Sequence, residues 1–421
     1  MSLHRKPIKV SEASNLILPF VGEGKKELVS IYEAHGRFLA EDIVATNNVP
    51  PFNKAPYDGF AIRSIDTKGL HMSNRTLFKV IDHIGAGYVS NKVVQQNEAV
   101  RIMTGAPMPE GTDSVMMLEL VAEKTIDGES YIEVKRELQA GENVSFCGED
   151  AKEGDIVVKK GTQINPGIQA VLATFGYAQV PVAKKPLVGL FTTGTELLDV
   201  SQPLKPGKIR NSNSFMVMAQ IERAGAQVKY FGTLPDELEL CYEKITAAYE
   251  EVDMLVTTGG VSVGDFDLLP VIYERMGAEV LFKKVRMRPG SVTTVAQKNG
   301  KLLFGLSGNP SASYVGFELF TRPVIRKMLF APNIYVRKEK AELQVDFLKP
   351  NPFDRFVRSY FSVKDGKLIV SPSGLDKSNV VMSLIDTNAL AILPGGTRGF
   401  QKGDQVDILL LNDQEGCDYP W

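Results

Sequence analysis

The chain is expected to be a multidomain α/β protein built on a doubly wound, mostly parallel sheet, with a β-rich domain inserted ahead of it, a mixed helical N-terminal part and a small β-barrel at the end. Three observations predict this. Strand-like and helix-like segments alternate between 186 and 335, short β-rich runs fill 49–150, and alternating apolar residues return beyond 336. Its 421 residues are enough for about three domains of ordinary size and a substantial core.

Up to Asn47 the pattern suggests one or two helical pieces, the first capped by Ser11 ahead of Leu16, Ile17 and Leu18, the second near Tyr32–Leu39 and interrupted by Gly36. From Val49 to Asp150 the runs FKVIDHI, AVRIM, SVMML and YIEVKREL are separated by turn-forming stretches such as GAG, TGAPMPEGTD and IDGES, which reads as a small β domain. GDIVVKKGTQINPGIQAVLATFG then gives a turn, a strand and an apolar helix. The α/β part follows: PLVGLF is a buried strand, NSFMVMAQIERAG a helix closed by Gly225, and VKYFGTL a strand. PDELELCYEKITAAYEEV is a helix with acids in its first turn, DMLVTT a strand ending in Gly-Gly, and DLLPVIYERMGA a short helix. EVLFKKV is a strand and NPSASYVGFELFTRPVIRKML a final helix. Beyond Tyr335, AELQVDF alternates, KDGK signals a hairpin, and ALAILP and QVDILLL are strands of a small β-barrel or sandwich.

Composition narrows the function. A net charge of −2 gives no electrostatic case for nucleic acid or anionic membrane as a partner. No apolar run approaches the ~18 residues of a membrane span, and the start resembles no signal peptide. The three cysteines, Cys147, Cys241 and Cys417, lack CxxC spacing, which fits a reducing cytoplasm. The four histidines lie in the first quarter without ligand spacing, so a metal would sit among oxygen ligands, as Mg²⁺ prefers.

In an open α/β sheet ligands bind beyond the carboxyl ends of the strands. Those ends here carry Thr192-Thr193-Gly194-Thr195-Glu196, Pro235-Asp236, the loop GGVSVGDFD (259–267) and Ser307-Gly308-Asn309-Pro310. Glycine lets backbone N–H groups approach a phosphate, and Asn309 as N-cap with Pro310 in the first turn would direct a helix end at an anion. Glu196, Asp236, Asp265 and Asp267 offer oxygen ligands for Mg²⁺. Singly, each signal has a plain reading: Gly-Gly a tight turn, Asp236 a helix-dipole acid, Glu196 a surface acid. Their recurrence at successive strand ends favours a phosphate-containing ligand.

These residues resemble a known family. GGVSVGDFD, TTGTEL, RPG at 288–290 and GLSGNPSAS look like the molybdopterin-binding domain of the molybdopterin molybdotransferases (MoeA and the E domain of gephyrin). NVPPFNKAPYDGFAI, AVRIMTGAPMPEGTDSVMM and GENVSFCGED resemble the family's other signatures, in the right order over nearly the whole chain. The resemblance implies an elongated four-part subunit in a homodimer: 1–48 with 151–185, an inserted β-rich domain at 49–150, the molybdopterin-binding domain at 186–335, and a barrel at 336–421. It further implies Mg²⁺-dependent insertion of molybdenum from molybdate into adenylylated molybdopterin, with release of AMP. Glu196, Asp236 and Asp267 then fall on acidic positions of the active cleft, and Asp58, Thr104 and Asp150 on positions contributed by the other subunit. Thr193, Gly194, Gly259, Gly260, Ser262, Gly264, Ser307, Gly308 and Asn309 would hold the pterin nucleotide. Arg288, Pro289, Arg358 and Ser378 match molybdate-holding positions, and two cations with a hydroxyl suit a tetrahedral dianion.

Four positions depart from the family pattern: Ser145 where Arg is frequent, Ser307 for Pro, Arg288 for Lys, and Thr195 for an acid. Family partners would be the molybdopterin adenylyltransferase and molybdoenzyme chaperones. The alternatives on the same domain are an adenylyltransferase-like nucleotide enzyme and a gephyrin-like peptide-binding scaffold.

Overall fold

A computed structural model describes residues 6–260, 268–413 and 416–421. The chain divides into two compact units: Met1–Glu41, Lys160–Pro166 and Gln179–Trp421 form one, and Asp42–Lys159 with Gly167–Ala178 the other.

The second unit contains the β-rich segment. Its six-stranded sheet runs Ser114–Met117, Gly59–Ile62, Glu98–Ile102, Thr76–Ile84, Glu129–Val134, Ala122–Ile126 in spatial order. The strand Gly59–Ile62 is buried along its whole length, because alternate side chains serve two cores. Phe60 and Ile62 pack with Phe78, Met116 and Ile132, while Ala61 joins Val100, Ile102 and Val115.

In the first unit the predicted α/β pattern is present. Its strands are β1 (Leu187–Thr193), β2 (Gln227–Leu234), β3 (Met254–Thr258), β4 (Glu279–Phe282), β5 (Thr294–Lys298) and β6 (Lys301–Leu306), in spatial order β2-β1-β3-β6-β5-β4. The first four in that order pair in parallel; β5 and β4 close the edge as antiparallel strands. Helices α1 (Asn213–Ala224), α2 (Leu238–Glu251), α3 (Leu268–Arg275) and α4 (Pro310–Gly316) connect or follow them. Central β3 is buried at every position, as a strand covered on both faces must be. Helix α1 ends at Gly225, whose φ of 103° is the left-handed cap that glycine adopts without steric penalty.

After α4 the chain passes through a π-helical turn, Phe317–Thr321, before resuming as a helix at Arg322–Met328. The single helix expected here is interrupted where Pro323 removes a backbone donor. The wider turn carries Glu318, fully buried, which accepts a hydrogen bond from Gln220 (2.6 Å) and pairs with Arg223 and Arg322.

The C-terminal segment is a closed barrel. Strands β7 (Lys338–Leu343), β8 (Asp354–Lys364), β9 (Lys367–Pro372), β10 (Ala389–Leu393) and β11 (Gln405–Leu410) follow the order β8-β9-β7-β11-β10, and β10 pairs back onto β8. The β8–β9 hairpin turns at Asp365 and Gly366, both at positive φ, as the KDGK sequence predicts. A short strand, Met287–Arg288, lies parallel to the start of β8 with Arg288 in register with Arg355.

Two N-terminal expectations are corrected. The first helix is Val10–Ile17, with Lys9 at the cap position and Ser11 already inside the first turn, so Ser11 caps nothing. Around Tyr32–Leu39 there is only a 3₁₀ turn, Ile31–Glu33, capped by Ser30, and Gly36 sits at φ 74°. There the backbone pairs instead: Phe38 bridges Gln163 and Leu39 bridges Val182. Tertiary pairing overrides the weak helical pattern.

Candidate functional site

The carboxyl ends of β1, β3 and β6 lie side by side because these strands are neighbours in the sheet. At Gly259 that closeness requires glycine, while Gly308 only reaches van der Waals contact. A Cβ on Gly259 (φ 95°) would lie 2.4 Å from the Thr193 hydroxyl and 2.7 Å from its carbonyl oxygen, and one on Gly308 would stand 3.5 Å from the Gly259 Cα. Gly194 has φ 139°, and the Glu196 carboxylate folds over it, 2.4 Å from where a Cβ would be. The turn after β6 is braced by Asn213, whose Nδ2 donates to the Gly308 carbonyl at 2.8 Å. Asp236, Thr193 and Gly260 border one small crevice of about 10 Å³. Thr193, Gly194, Glu196, Asp236, Gly259, Gly260 and Gly308 are thus gathered at one edge of the sheet. Ser262, Gly264, Asp265 and Asp267 lie outside the described residues.

A second group meets where the α/β domain and the barrel join. Arg288, Pro289, Ser307, Asn309 and Ser378 border a cavity of about 280 Å³, together with Ser291, Arg355, Asp376 and Lys377. Asn309 occupies the cap position before Pro310, but its side chain bonds no helix N–H. The loop after β9 does that work: the Ser378 carbonyl accepts from the Ser311 N–H at 3.1 Å, and the Ser311 hydroxyl donates to the Val380 carbonyl at 2.7 Å. The barrel loop is thereby fixed on the first turn of α4.

Arg358 is 2% exposed and does not line this cavity. Its Nε donates to Ser383 Oγ (3.1 Å), its Nη2 to the carbonyls of Leu375 (3.1 Å) and Lys377 (3.2 Å), and its Nη1 to Asp376 (3.4 Å). Burial pushes its guanidinium below the usual arginine range, and Asp376 draws it back. Its place is beneath the loop that presents Ser378. Arg355, Asp376 and Lys377 were not picked out from sequence; only the register of Met287–Arg288 on β8 reveals Arg355 beside Arg288.

In the other unit, Asp58 and Thr104 meet directly. The Thr104 backbone N–H (2.7 Å) and hydroxyl (2.8 Å) both donate to Asp58 Oδ1, and they hold this exposed carboxyl below the ordinary aspartate range. Asp150 lies in an exposed turn whose backbone N–H donates to the Val49 carbonyl at 3.0 Å.

Among the described residues no three His, Cys, Asp or Glu side chains cluster as a metal site. Glu196 and Asp236 are exposed carboxylates at the carboxyl edge of the sheet, hard oxygen donors of the kind Mg²⁺ takes; the remaining acids expected as ligands lie outside the described residues. Also among the described residues, no helix is long and apolar enough to cross a membrane.

A mostly parallel sheet with glycine-lined turns at its carboxyl edge is joined to a barrel at a cavity lined by arginine, lysine and hydroxyl groups. Comparison with known proteins makes the class specific. Residues 8–176 match the MoeA N-terminal region (domain I and II), 189–327 a probable molybdopterin binding domain, and 340–411 the MoeA C-terminal region (domain IV). The molybdopterin molybdenumtransferase of Bacillus subtilis is 54% identical over 99% of this chain and 97% of its own length; that of Staphylococcus epidermidis is 50% identical over 96% of each. A crystal structure of a molybdopterin biosynthesis MoeA protein from Pyrococcus horikoshii superimposes with a TM-score of 0.81 at 32% identity, over 96% of this chain and all of that one. The chain belongs to the molybdopterin molybdenumtransferase family.

Proposed function

We propose that this protein completes the molybdenum cofactor: it takes molybdate and adenylylated molybdopterin, inserts the metal at the pterin dithiolene and releases AMP. The observation that carries this reading is the cavity uniting Arg288, Ser307, Asn309 and Ser378, next to the glycine-lined strand ends. The strand-end backbone at Thr193–Gly194, Gly259–Gly260 and Ser307–Gly308 holds the phosphates and nucleotide, with Ser262 and Gly264 continuing that loop. Arg288 and Ser378, with Pro289 shaping the turn, hold molybdate as a tetrahedral dianion. Arg358 positions the Ser378 loop from below. Catalysis is then positioning and electrostatics, with no covalent enzyme intermediate.

Mg²⁺ would be held by Glu196 and Asp236 with Asp265 and Asp267, and would neutralise charge at the phosphoanhydride. We further propose a cytoplasmic homodimer of four-part subunits, in which Asp58, Thr104 and Asp150 serve the site of the other subunit. The molybdopterin adenylyltransferase and molybdoenzyme chaperones are its proposed protein partners. The decisive assay supplies purified protein with adenylylated molybdopterin and Mg²⁺ and follows AMP. Release is expected only with molybdate; consumption of ATP with free pterin would reassign the protein as an adenylyltransferase.

The Asp58–Thr104 pair predicts a pH effect. Thr104 depresses the Asp58 pKa, so the carboxylate stays ionised until the pH falls through that lowered value. Thr104→Val keeps the backbone N–H, the larger influence, but deletes the hydroxyl donor, which lets Asp58 protonate somewhat sooner. The acid limb of the AMP-release profile is therefore expected to move to higher pH, with the alkaline limb unchanged. An unmoved acid limb would remove Asp58 from the reaction.

A further inference from the structure

The cavity between the α/β domain and the barrel is lined by cations other than the expected pair of arginines, since Arg358 is absent from its wall. Arg288, Arg355 and Lys377 line it against a single carboxylate, Asp376. Arg355 and Asp376 are largely buried, with side chains 12% and 6% exposed, and form a close ion pair. Asp376 also serves Arg358 from its other oxygen, so one carboxylate is shared between two guanidinium groups. Buried charge left partly uncompensated is costly unless something neutralises it.

The two arginines differ in how their donors are used. Arg358 directs donors to Ser383, to two loop carbonyls and to Asp376, which makes it a strut. Arg355 directs Nη1 to Asp376, and its buried Nε–H has no hydrogen-bond partner among the described residues. Arg355 is also in parallel register with Arg288. Residues so paired project from the same face of neighbouring strands, and both line the cavity. A guanidinium pinned by one edge keeps its remaining donors in a fixed plane, the geometry that suits two oxygens of a tetrahedral anion.

Resting on the reading of this cavity as the molybdate site, we propose that Arg355 contacts the oxyanion as a second cationic wall beside Arg288, and that Asp376 is the positioning residue that aims it. Dianion binding at the guanidinium donors that Asp376 leaves free would offset the positive charge of the cavity wall. Lysine at 355 would keep the charge but not the planar fork, so charge and geometry can be separated.

The test combines equilibrium dialysis of molybdate against the intact protein, read by metal analysis, with the molybdate dependence of AMP release. R355M is expected to weaken molybdate binding at least tenfold and to raise KM for molybdate by a similar factor, with kcat restored at saturating molybdate. R355K should recover part of that loss. D376N should raise the molybdate KM less than R355M does. R288M is run alongside. If R288M weakens binding and R355M does not, Arg355 is a strut for the loop and the proposal is overturned. If R355M lowers kcat at saturating molybdate with KM unchanged, it is likewise overturned. If neither R288M nor R355M alters molybdate binding, the cavity itself has been misread. Should R355M fail to fold, R355K decides: wild-type binding by R355K refutes a role for the planar fork.

Discussion

Arg288→Met is expected to raise the molybdate concentration for half-maximal AMP release by about a hundredfold. The figure follows from losing a charge-assisted contact of about 2–3 kcal/mol, at 1.4 kcal/mol per decade. Arg288 sits at the rim of the cavity, and the turn it begins is fixed by close packing. A Cβ on Gly290, at φ 87°, would come within 2.9 Å of the Met287 side chain and 3.2 Å of the Ala312 carbonyl. The Thr293 hydroxyl closes the same turn on the Gly290 carbonyl at 2.8 Å. Methionine removes the cation while leaving this backbone untouched, so binding of the adenylylated pterin should be retained. High molybdate should therefore restore turnover, a pattern that a folding defect would not produce. Unchanged molybdate dependence would place the oxyanion elsewhere.

The largest expected effect on stability comes from Glu318→Ala. Glu318 is fully buried, bonded to Gln220 and paired with Arg223 and Arg322, and Arg322 is itself only 4% exposed. Burial pushes Arg322 below the usual arginine range, with Glu318 opposing that shift. Removing the carboxylate leaves a buried guanidinium without its compensating charge, which typically costs about 3–5 kcal/mol. Urea unfolding of the intact protein should show a midpoint well below wild type for Glu318→Ala, and a smaller loss for Glu318→Gln, which keeps a carbonyl acceptor toward Gln220. Equal stability in all three would mean the network is dispensable.

Much of this architecture was legible in the sequence. The strand ends could be read because periodicity located the strands, and an open parallel sheet puts ligand-binding turns beyond their carboxyl ends. Thr193, Gly194, Gly259, Gly260 and Gly308 were found this way, and crowding against Thr193 explains why glycine stands at 259 and 260. The first N-terminal helix is present, but the second was misread for a physical reason: Phe38 and Leu39 bridge residues far along the chain, and no local pattern encodes such a partner. Arg355 was invisible for the same reason. Its significance depends on parallel pairing between Arg288 and a strand 67 positions later, and on a carboxylate at 376 reaching both arginines of β8. The position of Arg358 was legible from FVRS, whereas its burial under the 375–378 loop was not, because a motif names a residue without saying where its donors point.

The docking of the Ser378 loop onto the first turn of α4 also orders events during synthesis. A nascent chain that has emerged only as far as the end of the α/β domain already possesses its glycine-lined turns. It lacks one wall of the second cavity, because Asp376, Lys377 and Ser378 have yet to be made. Domains fold largely as units from the N-terminus. On the function proposed above, the two ligands would become bindable in sequence, nucleotide first and metal oxyanion last, and a chain truncated before the barrel is expected to bind pterin nucleotide without consuming it.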